Sequence, residues 1–294
     1  MQFALRTRGV SAVSNGPLAA ITANDDVLVS VVIPCHNSSL YVEETARSVL
    51  AQSLDTIEIV FVDDGSTDDT VAIIEAFIAS DTPMRCRLLR QPQSGVAAAR
   101  NAGIAASAGR YILPLDADDL IEPLMLAHGV SVLEQRPDAS IVYSDRRDFG
   151  DFDQIWSAGR FELARLKYFN QLTYCALFRR SLWQSVGGYR SNVDGFDDWD
   201  FWIACAAKKA TAVHLPQPYV LHRRRRDSRL WTLIDQYERL FSQIILNHPH
   251  VYSSSEVHEA ERFLNDGNVS STIRLSRVIF RERYYTGYAA AARA

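Results

Sequence analysis

Short apolar segments alternate with amphipathic segments in the first half of the chain. Val27–Pro34 and Ile57–Val62 are apolar runs of strand length, and Cys86–Arg90 is a weaker one. Between the first two runs, Tyr41–Ala51 repeats apolar residues at the spacing of one helix face, and a second segment with this spacing follows Ser66. Apolar runs separated by helices are typical of buried parallel strands. The pattern therefore predicts repeated strand–helix units.

The same alternation continues into the middle of the chain. Alanine-rich Gly95–Ser107 predicts a helix, Tyr111–Leu115 a strand, and Ile121–Gln135 a helix that precedes a strand at Ser140–Tyr143. Asp148–Tyr168 interrupts the pattern with aspartates, aromatic residues and glycines, and is interpreted as a loop or a small excursion over the sheet. Four or more such repeats indicate an α/β fold, in which a Rossmann-like, mostly parallel sheet is flanked by helices.

Polar clusters stand directly after three of the predicted strands. His36 and Asn37 follow the first strand, Asp63 and Asp64 end the second, and residues 116–119 (Asp-Ala-Asp-Asp) follow the strand at 111–115. Ligands of open α/β sheets bind outside the carboxyl ends of the strands. The sequence therefore predicts a ligand site where these clusters meet.

The two pairs of carboxylates suggest different chemistry. Asp116 and Asp118 can share a hard divalent cation such as Mg²⁺ or Mn²⁺ and the phosphates bound to it, because these cations prefer oxygen ligands. A solvated turn that starts a helix is the alternative. Asp63 and Asp64 can accept hydrogen bonds from a ribose or from a base N–H group. A tight turn with a helix cap is the alternative there.

Composition narrows the class of protein. The chain has 294 residues, 47% hydrophobic and 22% charged, which is enough to bury a substantial core. The net charge of −4 shows no global basic bias, so a dedicated nucleic-acid binder is not expected. Four cysteines without disulfide or zinc-site spacing predict free thiols in a reducing compartment.

Neither a membrane span nor a signal peptide is expected. No apolar run approaches the roughly 18–20 residues of a membrane-spanning helix. Residues 1–26 lack a continuous apolar core and are interpreted as an N-terminal arm. We therefore expect a cytoplasmic protein.

Charge is distributed unevenly along the chain. Residues 223–294 contain 12 arginines and 8 acidic residues, a net charge of +4, whereas residues 1–222 have a net charge of −8. We interpret the basic part as a helical C-terminal extension. Its arginines at 223–226 can bind a diphosphate or an acidic acceptor, or contact the inner face of an anionic membrane; a solvated run of charges is the alternative.

Six motifs occur in an order that resembles a known family. They are SVVIPCHN, VFVDDGSTDDT, GVAAARNAGI, YILPLDADD, FRRSLWQSVGGY and GFDDWDFWI. Together they resemble family 2 of the inverting glycosyltransferases, which have the A-type nucleotide-diphospho-sugar transferase fold, over roughly residues 29–222. The resemblance implies a catalytic domain at 27–222, with a nucleotide-binding half at 27–120 and an acceptor half at 121–222.

The resemblance also implies roles for individual residues. Those expected to contact the base, the ribose or the rest of the nucleotide are Pro34, His36, Asn37, Asp63, Asp64, Arg100 and Asp116. Those expected to bind the metal are Asp118, which holds the cation that bridges the diphosphate, Asp116 and His222. The residues expected at the acceptor are the base Asp198 and its neighbour Asp197, where the family usually has Glu. His222 can instead be a hydrogen-bonded structural histidine.

The implied activity is a metal-dependent, inverting transfer of a sugar. The donor would be a nucleotide diphosphate sugar, expected to be a UDP-sugar, and the acceptor a hydroxyl of a carbohydrate or a lipid-linked molecule. One carboxylate base suffices for this reaction, and the divalent metal (Mn²⁺ or Mg²⁺) offsets charge on the leaving diphosphate. The alternatives are a nucleotide-sugar-binding protein without catalysis and a sugar nucleotidyltransferase. A nucleotidyltransferase is disfavoured because no glycine-rich, basic phosphate loop follows the first strand.

Overall fold

A computed structural model describes residues 27–80, 84–225, 233, 235–267, 273, 274 and 276–278. The strands in this part of the chain are β1 (Val29–Cys35), β2 (Ile57–Asp64), β3 (Arg85–Gln91), β4 (Tyr111–Pro114), β5 (Leu120–Ile121), β6 (Ala139–Gly150), β7 (Gln154–Trp156), β8 (Leu177–Arg179) and β9 (Thr211–Arg224). The helices are α1 (Val42–Leu50), α2 (Thr70–Ala79), α3 (Val96–Ala106), α4 (Met125–Gln135), α5 (Leu163–Leu166), α6 (Arg180–Val186), α7 (Asp197–Ala207), α8 (Tyr237–Asn247) and α9 (Ser254–Asp266).

All of these strands belong to one sheet. Its order is β3-β2-β1-β4-β8-β6-β9-β5, and β7 pairs with β6. The neighbours β3, β2, β1 and β4 are parallel, and β6 is parallel to β9, whereas β8 is antiparallel to both β4 and β6. Helices flank this mostly parallel sheet, as the sequence predicts.

Three strands of the parallel half of the sheet, β1, β2 and β4, are buried on both faces, whereas the edge strand β3 is partly exposed. Every residue of β1, β2 and β4 is buried, which accounts for their continuous apolar runs. Helix α3 lies close against β1 and β2 because Gly103 has no side chain. A Cβ atom at that position would stand 2.4 Å from Cγ1 of Val32 and 2.9 Å from Cγ2 of Val62. The small residues of α3 therefore serve close helix–sheet packing.

The other half, β6 to β9, differs from the sequence prediction. Strand β6 spans 12 residues to Gly150, so the loop expected from Asp148 is wrong at its start, and β7 and α5 also lie within the predicted loop. Strand β9 likewise extends over 14 residues, far beyond its apolar part. The reason is that β6 buries charged residues, among them Arg146 and Asp148, whose Nε and Oδ1 atoms are 2.8 Å apart. A strand with charged buried positions shows no apolar pattern.

The described part of the C-terminal segment packs on the domain. Phe241 of α8 stacks on Trp199 of α7 with ring centroids 5.3 Å apart, and Leu240, Ile244 and Ile245 are buried beside them. Helix α9 begins with a capping box in which the side chains of Ser253 and Glu256 bond each other's backbone N–H groups. These helices are therefore amphipathic and share the core of the domain.

The described residues also bear on the predictions for membrane spans and cysteines. None of the helices there has the length and the apolar character that a bilayer crossing requires. The four cysteines are free thiols, as expected. The N-terminal arm at 1–26, Arg226 and the last 16 residues lie outside the described part of the chain.

Candidate active site

A cavity of about 450 Å³ opens at the carboxyl edge of the parallel strands. The loop after β1, the loop after β4, the start of α7 and the end of β9 all contribute to its wall. Predicted site residues that line it are Pro34, His36, Asn37, Arg100, Asp116, Asp118, Asp197, Asp198 and His222. Residues from both halves of the sheet thus face one cavity.

The Asp-Ala-Asp-Asp segment after β4 places three carboxylates in this wall. Asp116 and Asp118 are each 34% exposed, whereas Asp119 is buried. Asp119 accepts hydrogen bonds from the Tyr174 hydroxyl at 2.6 Å and the Arg223 backbone N–H at 2.7 Å. Burial, and then the neighbouring aspartates, raise the pKa values of Asp118 and Asp119. The segment therefore concentrates negative charge that a cation would relieve.

Arg100 connects this segment to the start of α7. It extends from α3, is almost completely buried, and pairs with Oδ1 of Asp116 at 2.7 Å through Nη2. Its Nη1 forms a second, buried ion pair with Oδ2 of Asp197. The guanidinium thus holds two carboxylates from different elements beside each other in the wall of the cavity.

Asp197 and Asp198 occupy the first turn of α7, where the helix dipole favours carboxylates. Asp197 is committed to the ion pair with Arg100. The Asp198 side chain lines the cavity, and its Oδ2 accepts a hydrogen bond from the Asn170 side-chain amide at 2.8 Å. Burial, and next the charge of Asp197, raise the pKa of Asp198 to about 7. A carboxylate with this pKa can take a proton at neutral pH.

His222 stands at the opposite side of the carboxylate segment, near the end of β9. Its Nδ1 atom is 3.3 Å from Oδ1 of Asp148, and its Nε2 atom is 4.0 Å from Oδ2 of Asp119. Burial lowers its pKa to about 4, so the imidazole is neutral near pH 7. A neutral imidazole is the form that can bind a metal, and the contact with Asp148 also suits a structural histidine.

The loop after β1 supplies the exposed rim of the cavity. Nδ1 of His36 lies 2.9 Å from the carbonyl oxygen of Asp64. Asn37 adopts a left-handed conformation, with φ of 51°, and its Oδ1 accepts a hydrogen bond from the Thr67 backbone N–H at 2.8 Å. These contacts join the loops after β1 and β2, so His36 and Asn37 are held at the cavity by local hydrogen bonds.

Asp63 and Asp64 lie outside the set of described residues that line the cavity. Oδ1 of Asp63 accepts from the Ser66 backbone N–H at 3.1 Å, as in a turn. The Asp64 carboxylate accepts from the backbone N–H groups of Ser94 and Gly95, both at 2.8 Å. Their carboxylates thus fix the loops in this structure, and a contact with the base or ribose stays a prediction.

Residues that could bind the implied divalent cation include acidic side chains of the cavity. No group of three or more histidine, cysteine or acidic side chains among the described residues is arranged to hold a metal by itself. Asp116 and Asp118 offer hard oxygen ligands, and the side chain of each is about one-third exposed. Burial is the largest cause that raises the pKa of Asp118, and the negative charge of Asp116 is the second. This set fits Mg²⁺ or Mn²⁺ when phosphate oxygens and water supply the remaining ligands.

Several residues of the cavity have contacts that the sequence does not predict. Asp119 stands in the acidic segment, and its hydrogen bonds could not be read from the sequence. Asn170 comes from a loop without a motif, and only its contact with Asp198 singles it out. Nε of Arg223 donates to the Asp118 carbonyl oxygen at 2.9 Å, and Nη2 pairs with Glu44 at 2.6 Å. Arg223 therefore fixes the acidic segment, a role that its place in an arginine run does not reveal.

Solved structures with a similar fold contain nucleotide sugars. Residues 1–349 of S. aureus TarS in complex with UDP-GlcNAc match with a TM-score of 0.62 and 20% identity, over 79% of this chain and 69% of that one. The mannosyltransferase PcManGT from Pyrobaculum calidifontis, in complex with GDP-Man and Mn²⁺, matches with a TM-score of 0.61 and 21% identity, over 90% of this chain and 75% of that one. At these identities the likeness establishes the fold, which is that of the A-type glycosyltransferases.

Sequence comparison gives the family. The family described as "Glycosyl transferase family 2" matches residues 30–193, more than half of the chain. Glycosyltransferase GlyG from Streptococcus pneumoniae serotype 4 is 36% identical over 127 residues, which are 43% of this chain and 41% of GlyG. Four other curated relatives are longer still, and the chain spans between 18% and 26% of their length.

The fold and the sequence matches define the class of protein as a glycosyltransferase. Within that class, the chain belongs to glycosyl transferase family 2.

Proposed function

We propose that this chain transfers a sugar from a nucleotide diphosphate donor, in the first instance a UDP-sugar, to a carbohydrate or lipid-linked hydroxyl, with inversion at the anomeric carbon. The observation that carries the proposal is the double ion pair of Arg100. It joins Asp116, on the donor side, to Asp197, whose neighbour Asp198 has a carboxylate suited to act as a base. Donor and acceptor chemistry can thus take place in one cavity.

The proposed roles follow from position and charge. Pro34, His36 and Asn37 would form the nucleotide end of the cavity. Asp116 and Asp118 would hold a Mn²⁺ or Mg²⁺ ion, with His222 as a further candidate ligand. When bound, this ion would offset the negative charge that develops on the departing diphosphate.

Asp198 would serve as the general base. Its carboxylate would take the proton of the acceptor hydroxyl as that oxygen attacks the anomeric carbon on the face opposite the diphosphate. A single displacement of this kind inverts the configuration and requires no covalent sugar–enzyme intermediate. Asp197 would keep Arg100 in place, and its role would be indirect because its carboxylate is already paired.

One structural neighbour is in complex with UDP-GlcNAc and another with GDP-Man, so the nucleotide base of the donor has to be determined by experiment. The first test is therefore release of UDP, GDP or dTDP from a panel of sugar donors with candidate acceptors, with Mn²⁺ or Mg²⁺ present and then removed by EDTA. We expect release of UDP that stops with EDTA and is lost in Asp118→Asn. NMR of the product should show an inverted anomeric configuration. Retention of configuration, or full activity in EDTA, would contradict the proposal.

We also propose that the protein works in the cytoplasm, at the inner face of a membrane when the acceptor is lipid-linked. The net charge of +4 over residues 223–294 supports attraction to anionic lipid. Co-sedimentation with vesicles that contain an anionic lipid, compared with neutral vesicles, tests this point. Equal binding to both would contradict it.

A further inference from the structure

Adjacent carboxylates at the start of α7 have different kinds of partner. Asp197 pairs with a guanidinium, that of Arg100, in a buried ion pair. Asp198 accepts from a neutral amide, that of Asn170, with Nδ2 and Oδ2 2.8 Å apart. A positive partner favours the ionised form of a carboxylate strongly, whereas an amide donor favours it more weakly. Burial raises the pKa of both carboxylates, and it is opposed by the charge of Arg100 and, at Asp198, also by the amide of Asn170.

The loop that carries Asn170 is attached to the same turn of α7. The indole Nε1 of Trp199 donates a hydrogen bond of 2.6 Å to the carbonyl oxygen of Leu166, four residues before Asn170. Gln171, the next residue, is buried and accepts a hydrogen bond at its carbonyl oxygen from the Gly159 N–H group at 3.2 Å. Asn170 thus stands on a segment anchored on both sides, and its amide has a defined position relative to Asp198.

We propose that Asn170 is a positioning residue for the base, and that its amide holds Oδ2 of Asp198 in the orientation in which the carboxylate meets the acceptor. The consequence for transfer rests on the proposed function, whereas the contact itself does not. Because this hydrogen bond favours the ionised carboxylate, its loss raises the pKa of Asp198.

Other charged groups also face Asp198 and set the background for this effect. The nearest are Asp197 on the same helix and Arg100 on α3. Those elsewhere in the wall of the cavity are Asp116, Asp118, Asp119, Arg146 and the arginines at 223–225, with the neutral His222. Asn170→Ala removes none of these groups, so a change in the titration of Asp198 in that variant reports the loss of the amide.

The test measures the titration of Asp198 directly. Protein labelled with ¹³C aspartate is titrated by NMR, and the Asp198 carboxyl signal is identified by its loss in Asp198→Asn. We expect Asn170→Ala to raise the Asp198 pKa by about one pH unit, and Asn170→Asp, which adds a negative charge, to raise it further. Gln135→Ala, which removes an exposed amide at the end of α4, is the matched control and should leave the pKa unchanged.

The pH dependence of transfer then tests the role in catalysis. A general base must be ionised, so activity falls below its pKa, and the acidic limb of the kcat/KM profile should move to higher pH in Asn170→Ala by the same amount. The expected rate on that limb is about tenfold lower than in the wild type. If the rate instead falls by the same factor at every pH and the acidic limb does not move, Asn170 has a merely structural role and the proposal is overturned.

The two readouts separate this inference from the proposed function. An unchanged Asp198 pKa in both Asn170 variants overturns the inference, even when the wild type transfers sugar. A raised pKa supports the positioning contact even where no donor is turned over, an outcome that would instead contradict the proposed transfer. Asn170→Ser retains a short donor at this position and should restore part of the wild-type pKa, whereas no restoration would count against a hydrogen-bonding role.

Discussion

The two halves of the sheet handle polar groups in different ways. In the parallel half, β1, β2 and β4 are buried and mainly apolar, and the polar residues at their carboxyl edge are the last residues of a strand or follow it directly. In the other half, charged residues lie within the long strand β6, where Asp145, Arg146 and Asp148 are buried and paired. The first half is stabilised chiefly by apolar burial and contains one buried charge within its strands that is paired across them, Glu58 of β2 with Arg87 of β3, whereas the second depends on several such pairs.

Arg100 crosses between the halves, since it pairs with Asp116 after β4 and with Asp197 on α7. The largest effect should therefore come from its removal. We expect Arg100→Met to lower the free energy of unfolding by about 3–5 kcal/mol, because it leaves the buried Asp197 carboxylate unpaired. Urea denaturation measures the change. The double variant Arg100→Met with Asp197→Leu should recover much of the loss, and equal losses in single and double variants would contradict the account.

The close contact between α3 and β1 tests the apolar half on its own. Gly103→Ala should lower the free energy of unfolding by about 1–3 kcal/mol, because the new Cβ would overlap with the side chains of Val32 and Val62. Thermal and urea unfolding are the measurements. Ala105→Ser, at an exposed position of the same helix, is the control and should change little. Equal stabilities for Gly103→Ala and the wild type would show that the space between α3 and the sheet can accommodate a methyl group, contrary to this prediction.

The buried charges of β6 should make stability sensitive to acid. Burial alone would raise the pKa of Asp148, but the hydrogen bond from His222 and the charge of Arg146 bring it below its ordinary value. Its folded pKa is depressed, so its stabilising contribution is complete above the unfolded value of about 3.9 and is lost as pH falls below it.

Asp148→Asn therefore tests this linkage. The variant should be less stable than the wild type at pH 7, and the difference should shrink as the pH falls below about 4. Urea unfolding at a series of pH values measures it, with Asp138→Asn, in an exposed ion pair with Arg136, as the control. A stability difference that stays constant with pH would contradict the linkage.

The smallest effect is expected for an exposed ion pair. Arg47 and Glu43 are one turn apart on α1, with their side chains 65% and 51% exposed. Arg47→Ala should lower the free energy of unfolding by about 0.5 kcal/mol or less, since solvent screens such pairs. Urea unfolding at low and high salt checks this value. A loss similar to that in Arg100→Met would show that burial does not separate the two ion pairs.

The same contrast explains what the sequence could predict. In the parallel half, β1, β2, β3 and β4 match their predicted segments within about two residues, since each contains the apolar residues on which the prediction rests. The acidic segment at 116–119 was found because it directly follows such a strand. Strand β6 extends beyond its predicted segment because pairs between residues distant in sequence, such as Asp145 with His214 and Asp148 with His222, make its charged positions compatible with burial.

Some contacts in the candidate site cannot be predicted from the sequence for a related reason. Asn170 has no motif around it, and only the contact of its loop with α7 brings it to Asp198. The sequence predicts that the Asp64 carboxylate contacts a ligand. In the structure it accepts hydrogen bonds from the backbone N–H groups of Ser94 and Gly95, which follow it by about 30 residues in the sequence. Hydrogen-bond partners of this kind depend on tertiary structure, which local patterns do not encode.

In the proposed mechanism, the donor-binding residues and the general base share one cavity but have separate tasks. The most direct measurement compares donor binding with transfer in Asp118→Asn and Asp198→Asn, by calorimetry with UDP-sugar and Mn²⁺ and by product formation. We predict that Asp198→Asn binds the donor like the wild type but transfers sugar at least about 100-fold more slowly, and that Asp118→Asn loses donor binding. Wild-type transfer by Asp198→Asn would contradict the account.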